Sequence, residues 1–471
     1  MIDTLVIGGG VSGLTIAHEL MLKGRDVVLL ERQVAVGGNA VSERIGGYLM
    51  EHGPSSLNAA AEGADQISTR LGLDDKRTFL EDDVKYRYLT KNGSLSNIPI
   101  HPLGFFTSSH LSIRGRLAMA SELFKPVGNC GGEESVDAFC RRRFGAEFAE
   151  RIIDPLTGGL FAAASTDLSI QATFPALVDM EKRYFSVTAG AFSRRLAGRK
   201  MPARRLFSWS GGIATLPLAL AAQLKTRIRK GVTVRRIEPL PSSFRIDAGA
   251  AGMIEARSVV IATQPHVAGM LLATIDEAAA QAALGISAPP IAVVFLGYRR
   301  AQVSHPLQGL GYLTATGEGR LVNGALFPST MFSGRAPSGH VALAAYVGGS
   351  RESDLAGASP KTLISLVRDE FRDILGATGE PQIAHVKQWP MGLPQTSLGH
   401  HKKLEAFTDM EQALPGLFLT GNYFSGPGIT HCVTRALDTA CRVDELLQSM
   451  DRGVYVNRSH QNDKPRIVAH G

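Results

Sequence analysis

A short apolar run at residues 4–7, closed by glycine, predicts a buried strand at the very start of the chain. Residues 14–22 then carry apolar positions at helical spacing, and 27–30 form a second apolar run that ends in Glu31. Strand, glycine turn, helix and strand are the ingredients of a βαβ unit. A strand–glycine–helix order returns near the other end, with a strand at 417–419, Gly421, a glycine-bearing loop and a long helix from about Ile429. Residues 230–239 and 255–266 read as strands, and 105–207 as mostly helical. Apolar residues at 363, 364, 367, 371, 374 and 375 predict an amphipathic helix covering a sheet. Residues 451–471 are polar without periodicity and are expected to form a loose tail.

Composition narrows the class without choosing a function. The chain has 471 residues, 44% hydrophobic and 20% charged, which suits a globular protein of two or three substructures. Fifty Lys+Arg against 43 Asp+Glu leave a +7 balance too dilute to imply nucleic acid. Cys130, Cys140, Cys432 and Cys441 show no CxxC spacing, so reduced thiols in a cytoplasmic protein are expected. The charge-free windows 206–224 and 258–275 are interrupted by proline, glycine and polar groups, so neither is expected to span a membrane.

The candidate chemistry begins at Gly8-x-Gly10-x-x-Gly13. Gly8 makes the tight turn, Gly10 lets backbone approach a pyrophosphate, and Gly13 brings helix against strand. Val11 and Ser12 open the helix whose N-terminus would face the anion. Glu31, 18 residues past Gly13, is placed to accept ribose hydroxyls and would repel the 2′-phosphate of NADP. A dinucleotide site follows from this unit. A second strand–glycine–helix element some 400 residues later is more than a simple NAD dehydrogenase needs.

Gly37-Gly38, six residues after Glu31, resembles the second glycine motif of amine-oxidase-like FAD proteins, with Asn39 beside it. Such proteins carry an arginine where this chain has Ala35, and Arg32 and Arg44 are the candidates to replace it. Glu51-His52-Gly53-Pro54, followed by Ser55, resembles the (D/E)xGP turn before the isoalloxazine in that superfamily. The resemblance implies non-covalent FAD, with Gly421, Asn422, Gly426, Gly428 and Ile429 closing on the ribityl chain and flavin. It also implies Val234 as a backbone contact near the adenine and Trp389 as a cofactor contact. The fold it implies is α/β: a discontinuous Rossmann-like two-site FAD domain, a mixed-sheet substrate domain and a helical insertion. Residues 1–80, 206–268 and 410–450 would form the first, 81–104 and 269–409 the second, and 105–205 the third.

The segments "YRYLTKNGSLSNIP" (86–99), "DPLTGGLFAAASTDLSIQATFPAL" (154–177), "FSWSGGIATLPLAL" (207–220), "LGYLTATG" (310–317) and "LPQTSLGHHKKLE" (393–405) sharpen the likeness. In that order they resemble the oxygen-dependent protoporphyrinogen and coproporphyrinogen oxidases of haem and chlorophyll synthesis. The implied reaction removes six electrons from a porphyrinogen in three hydride transfers to the flavin, with O2 as acceptor and H2O2 as product. Protoporphyrinogen IX is the leading substrate and coproporphyrinogen III the alternative. Arg87 matches an arginine that pairs with a propionate, a role suited to its bidentate fork. Leu310, Gly311 and Leu313 match apolar positions that sandwich the macrocycle. Tyr346 stands where relatives have methionine or another large apolar residue. No catalytic base is assigned.

In relatives the insertion is a membrane-associated helical domain. Here Arg141, Arg142, Arg143, Lys182, Arg183, Arg194, Arg195, Arg199, Lys200, Arg204 and Arg205 interleave with Phe185, Phe192 and Leu196. A peripheral contact with the inner face of a membrane is compatible with that pattern, as is a solvated basic loop. A homodimer and contact with the next haem-pathway enzyme remain open. The rivals are another amine-oxidase-like flavoprotein acting on an amine or polyene, a non-redox flavin mutase, and a scaffold for adjacent haem enzymes.

His400-His401 prompt a metal reading, but adjacent side chains on a strand point to opposite faces. No metal site is therefore expected. The surrounding PQxxxGHxxxLE pattern resembles the family's approach to the flavin. Thr396 replaces the usual aromatic residue there, and 401–403 are expected at the surface.

Overall fold

The computed structural model describes residues 1–58, 62–98, 110–128, 132–196 and 206–453. The N-terminal part supplies strands β1 (Ile2–Ile7), β2 (Val27–Glu31), β3 (Ser42–Ile45), β4 (Tyr48–Glu51), β5 (Leu57–Asn58), β6 (Arg77–Phe79), β7 (Tyr86–Lys91) and β8 (Ser94–Ile98). After the helical region come β9 (Leu206–Trp209), β10 (Ile228–Lys230), β11 (Arg236–Pro239), β12 (Phe244–Asp247) and β13 (Met253–Ile261). The last group is β14 (Ile291–Arg299), β15 (Gly309–Leu313), β16 (Val322–Leu326), β17 (His340–Gly348), β18 (Ile383–Trp389) and β19 (Leu417–Leu419).

The first large sheet runs β10-β2-β1-β13-β12-β11, with β19 also pairing with β13. Its β10, β2, β1, β13 and β19 are mutually parallel neighbours, and both faces are covered. Val6, Leu29 and Val260 pack under the helices Val11–Leu22, Thr215–Leu224 and Ile429–Asp451. Their alternates Leu5, Leu30 and Val259 pack against Pro265–Leu272, Glu277–Leu284 and His400–Ala413. That two-sided burial explains why these strands read as continuous apolar runs rather than alternating ones.

The second sheet runs β18-β14-β17-β16-β15-β7-β8. The amphipathic helix Pro360–Leu375 covers one face through Leu363, Val367 and Phe371, as the apolar spacing predicts. The other face meets the β3–β4 hairpin through Tyr48 and Met50, and the helical region through Leu313 and Ile152. The described part of the segment between β8 and β9 is mostly helical, with helices such as Val136–Phe144, Asp154–Phe161, Pro175–Tyr184 and Val187–Leu196 and isolated bridges Ser135–Ser169 and Leu168–Ser397.

Two readings of charge and conformation are corrected. The Arg141–Arg143 run is not a free basic face. Arg143 is fully buried against Glu122, Arg142 is paired with Glu134 and Glu181, and Arg141 with Asp137 and Glu150. Successive helical residues point about 100° apart, and in this helix Arg143 falls on the buried face with Val136, Phe139 and Cys140. The His400-His401 pair is not on a strand either: Gly399, at φ +81, starts the helix His400–Ala413. Arg199, Lys200, Arg204, Arg205, Cys130 and most of the expected tail lie outside the described residues.

Candidate active site

Two glycine-capped helices begin at the same edge of the parallel sheet. The helix Val11–Leu22 follows β1 with Gly10 as its cap, and Ile429–Asp451 follows β19 with Gly428 as its cap. Neither cap has a side-chain hydrogen bond, so first-turn amides of both helices can receive an anion. Because β1 and β19 both pair with β13, the two helix starts flank one strand end.

The glycines of the first turn divide the work. A Cβ on Gly13 would fall 2.0 Å from the Gly8 carbonyl oxygen, and one on Gly8 would fall 2.6 Å from that of Ala262. Nothing lies within 4 Å of a Cβ placed on Gly10, which leaves open space beside the helix start. Gly37 pairs with Gly10 as a parallel bridge and donates its N–H to the Gly9 carbonyl at 2.8 Å. A Cβ on Gly38 would stand 3.2 Å from the Gly10 Cα, so the second glycine motif docks directly on the first.

Glu31 accepts from the Gly9 N–H at 2.6 Å and from the Gln33 N–H at 2.7 Å. Its carboxylate is thereby fixed at the end of β2. Arg32 beside it is exposed, and its charge adds to burial in lowering the pKa of His266 beyond β13. Arg44, the other candidate for the missing phosphate contact, donates instead to the carbonyls of Gly47, Gly334 and Ser210. Val234 is half-buried between β10 and β11 and packs against the core beneath that side of the sheet.

The Glu51–Ser55 turn is braced from three directions. Glu51 Oε1 accepts from Arg335 at 2.9 Å and from the Ile213 N–H at 3.0 Å, and Oε2 accepts from Ser42 at 2.5 Å. Burial raises the Glu51 pKa despite Arg335, and lowers that of Arg335 despite Glu51. Gly53 sits so close to Asn39 that a Cβ would meet its carbonyl oxygen at 2.5 Å. Trp389 donates its indole N–H to the His52 carbonyl at 2.6 Å. Arg335 was not a sequence candidate, because nothing local marks a partner 284 residues away.

The C-terminal glycines form a similarly tight turn. Gly421 adopts φ +155 with Tyr423 folded against it, and Gly426 adopts φ +110 beside His431. Ahead of Asn422, the hydroxyl of Thr420 is buried and makes no hydrogen bond among the described residues. His400 Nε2 contacts the Tyr423 carbonyl at 2.8 Å, and burial lowers its pKa. The GH segment is therefore tied to this turn. Of its neighbours, His401 and Lys402 are exposed, while Lys403 is half-buried and donates to the Gly285 carbonyl at 2.6 Å.

The expected substrate residues occupy the sheet face opposite the Pro360–Leu375 helix. A bulge in the β15–β7 pairing, with Gly311 at φ +144, puts Leu310 and Leu313 on the same face while Tyr312 turns to the other. Tyr346 and Trp389 share that face with Tyr48 and Met50. Burial, reinforced by the charge of Glu51, holds the Tyr346 phenol protonated well above its ordinary range. Alternation along β7 gives half-buried Arg87 the face of Leu89, which pairs with Leu313.

The segment that carried the sharpest likeness is a clamp onto this face. A Cβ on Gly159 would meet Leu313 Cδ2 at 2.2 Å, and one on Gly158 would meet the Arg351 guanidinium. Arg351 donates to the carbonyls of Asp154 and Thr314, and Asp154 accepts from the Thr316 N–H and hydroxyl. Thr396, the departure from the family pattern, contacts Thr173 hydroxyl to hydroxyl at 2.7 Å and so ties the segment before Gly399 to the helical region.

The open space at Gly10, the Thr420 hydroxyl without a hydrogen bond among the described residues and the two glycine-capped helix starts fit an extended dinucleotide. A family model described as flavin containing amine oxidoreductase matches residues 11–444. A chloroplastic protoporphyrinogen oxidase of Oryza sativa subsp. japonica is 30% identical, covering 94% of this chain and 88% of its own. A coproporphyrinogen III oxidase of Bacillus subtilis (strain 168) is 27% identical, covering 91% and 95%. A solved structure from Exiguobacterium sp. 255-15 superposes with a TM-score of 0.81 at 22% identity, covering 95% of this chain and 99% of that one. This chain belongs to the flavin-containing amine oxidoreductase family, an oxidoreductase with FAD as its cofactor.

Proposed function

We propose that the protein oxidises a porphyrinogen, protoporphyrinogen IX first, with FAD as electron acceptor, O2 as final oxidant and H2O2 as product. The observation that carries this reading is the shared face of Leu310, Leu313, Tyr346 and Trp389. That face abuts the hairpin leading into the Glu51–Ser55 turn and is closed by the Gly158-Gly159 clamp. The rice and Bacillus relatives, named for two porphyrinogens, support the substrate class and leave the choice between them open. Bound FAD supplies the two-electron redox chemistry.

In this reading Gly8, Gly10, Val11, Ser12, Gly13, Gly37, Gly38 and Asn39 hold the pyrophosphate, Glu31 the adenosine ribose, and Arg32 replaces the phosphate contact missing at Ala35. Gly53, Pro54, Ser55, Trp389, Gly421, Asn422, Gly426, Gly428 and Ile429 enclose the flavin end, and Val234 the adenine. Leu310 and Leu313 bury the macrocycle and exclude water, while Arg87 pairs with a propionate. The FAD domain comprises 1–80, 206–268 and 410–450, the substrate domain 81–104 and 269–409, and the insertion 105–205.

The insertion also docks on an anionic membrane surface in this reading. Ile113, Leu117, Phe124, Phe185 and Phe192 are exposed there, Phe124 to 88%. Lys182 and Arg183 stand beside them, and no helix among the described residues is long and apolar enough to cross a membrane.

Anaerobically prepared protoporphyrinogen and coproporphyrinogen, followed by porphyrin fluorescence and peroxide on admission of air, test the activity. Oxidation of neither above the no-enzyme rate rejects it. Arg87→Ala should raise KM more than it lowers kcat, and an unchanged KM removes Arg87 from the site. Flotation with phosphatidylglycerol vesicles, lost in Phe124→Glu, tests the membrane contact.

A further inference from the structure

Where the β3–β4 hairpin meets edge strand β18, three potential ligands converge from distant parts of the chain. Glu43 lies on β3, His52 follows β4, and His385 lies on β18. Glu43 Oε2 is 3.2 Å from His52 Nε2 and 3.9 Å from His385 Nε2, and one ligand atom from each residue lies within 4.8 Å of the others. The two imidazoles stack with centroids 5.2 Å apart. His52 is only 7% exposed, and its Nε2 is sealed from water without a hydrogen bond among the described residues. Glu43 is the nearest acceptor to that buried nitrogen, and a cation set between the carboxylate and the two imidazoles would satisfy all three.

From this geometry we infer a binding site for one divalent transition cation of the zinc type, held by Glu43, His52 and His385. Ligand bonds of about 2 Å to a tetrahedral ion separate neighbouring donor atoms by a little over 3 Å, so small side-chain adjustments suffice. Two imidazoles with one carboxylate suit zinc, cobalt or nickel and disfavour magnesium and calcium, which take oxygen ligands. Imidazole must be neutral to bind, so uptake should weaken as pH falls and the histidines protonate. Lys387 lies over the Trp389 ring at 4.5 Å, leaving the carboxylate and the two imidazoles as the donor set. The ion would pin the hairpin that enters the Glu51–Ser55 turn to the edge of the substrate sheet, parallel to the Trp389–His52 hydrogen bond.

The site is independent of the proposed porphyrinogen, so its test does not use turnover. EDTA-treated, desalted, FAD-loaded full-length protein is titrated calorimetrically with zinc, and with magnesium and calcium for comparison. One equivalent of zinc should bind, with no comparable uptake of the other two. Outer-shell partners of metal ligands are typically worth about tenfold or more in affinity, so loss of a direct ligand should cost at least that. His385→Ala and Glu43→Gln, both at partly exposed positions, should therefore each weaken zinc binding at least about tenfold while retaining FAD. No stoichiometric zinc uptake overturns the site. So does equal binding by wild type and both variants, which would place the ligands elsewhere, or equal affinity for magnesium or calcium.

Discussion

Arg335 Nη1 donates to Glu51 Oε1 across 2.9 Å, joining the Glu51–Ser55 turn to the loop that precedes β17. Both side chains are almost wholly withdrawn from water. Arg335 also donates to the Ser208 hydroxyl at 2.7 Å and to the Trp209 carbonyl, so one guanidinium fastens β4 to β9.

Removing one partner of such a pair leaves a buried charge unmatched, which typically costs about 3–5 kcal/mol. Arg335→Met should lower the unfolding free energy by about that amount in urea titrations. Adding Glu51→Gln should recover part of the loss, since a neutral amide no longer requires the cation. FAD content, read from the flavin absorbance per protein, should fall in the single variant and rise again in the double variant. Equal losses in both would mean that the pair contributes by shape alone.

Gly10 and Gly13 should separate binding from folding. Alanine at 13 drives a Cβ to 2.0 Å from a backbone oxygen, which helix and strand can relieve only by moving apart. Alanine at 10 meets no protein atom within 4 Å and occupies only the space assigned to the pyrophosphate. Gly10→Ala should therefore purify folded, with unchanged far-UV circular dichroism and little flavin. Gly13→Ala should lose thermal stability, by about 1–3 kcal/mol or more, even when FAD is absent.

The same contrast explains what could be read from the sequence. The glycine turns were legible because each glycine performs a local backbone task whose spacing is fixed by one strand and one helix. The clamp segment stood out only as a family marker and its role was not legible, since Gly158 and Gly159 make room for Arg351 and Leu313, which arrive from much later in the chain. Arg335 and the Glu43–His52–His385 cluster were not legible, because tertiary packing alone brings those elements together. The arginine run misled because charge was read as exposure, and one buried carboxylate, Glu122, suffices to turn Arg143 inward.

Gly159 offers a test of the proposed substrate face. Its ideal Cβ lies 2.2 Å from Leu313 Cδ2, the end of a flexible side chain, so alanine there should be accommodated by moving Leu313. Overpacking of this kind costs about 1–3 kcal/mol. Gly159→Ala should alter KM for the porphyrinogen while leaving flavin content and spectrum unchanged. If KM stays at the wild-type value while stability falls, Leu313 does not touch substrate.

Glu122 gives the helical region a defined acid limit. Burial alone would raise its pKa, but hydrogen bonds from Ser186, Thr188 and Arg143 and from the Val187 N–H outweigh burial and lower it. A carboxyl whose folded pKa lies below its unfolded value, about 4.3, stabilises fully above that unfolded value. The contribution is lost as pH falls through the depressed folded pKa, because the unfolded state then binds the proton more readily. Glu122→Gln removes the titrating group, so the stability gap between wild type and variant should be constant from pH 8 to about 5.5 and shrink as pH falls below about 4.3. Urea midpoints at half-unit pH steps measure that gap. A gap that widens toward low pH would mean that the Glu122 pKa is raised and that burial, not Arg143 and its neighbours, dominates the site.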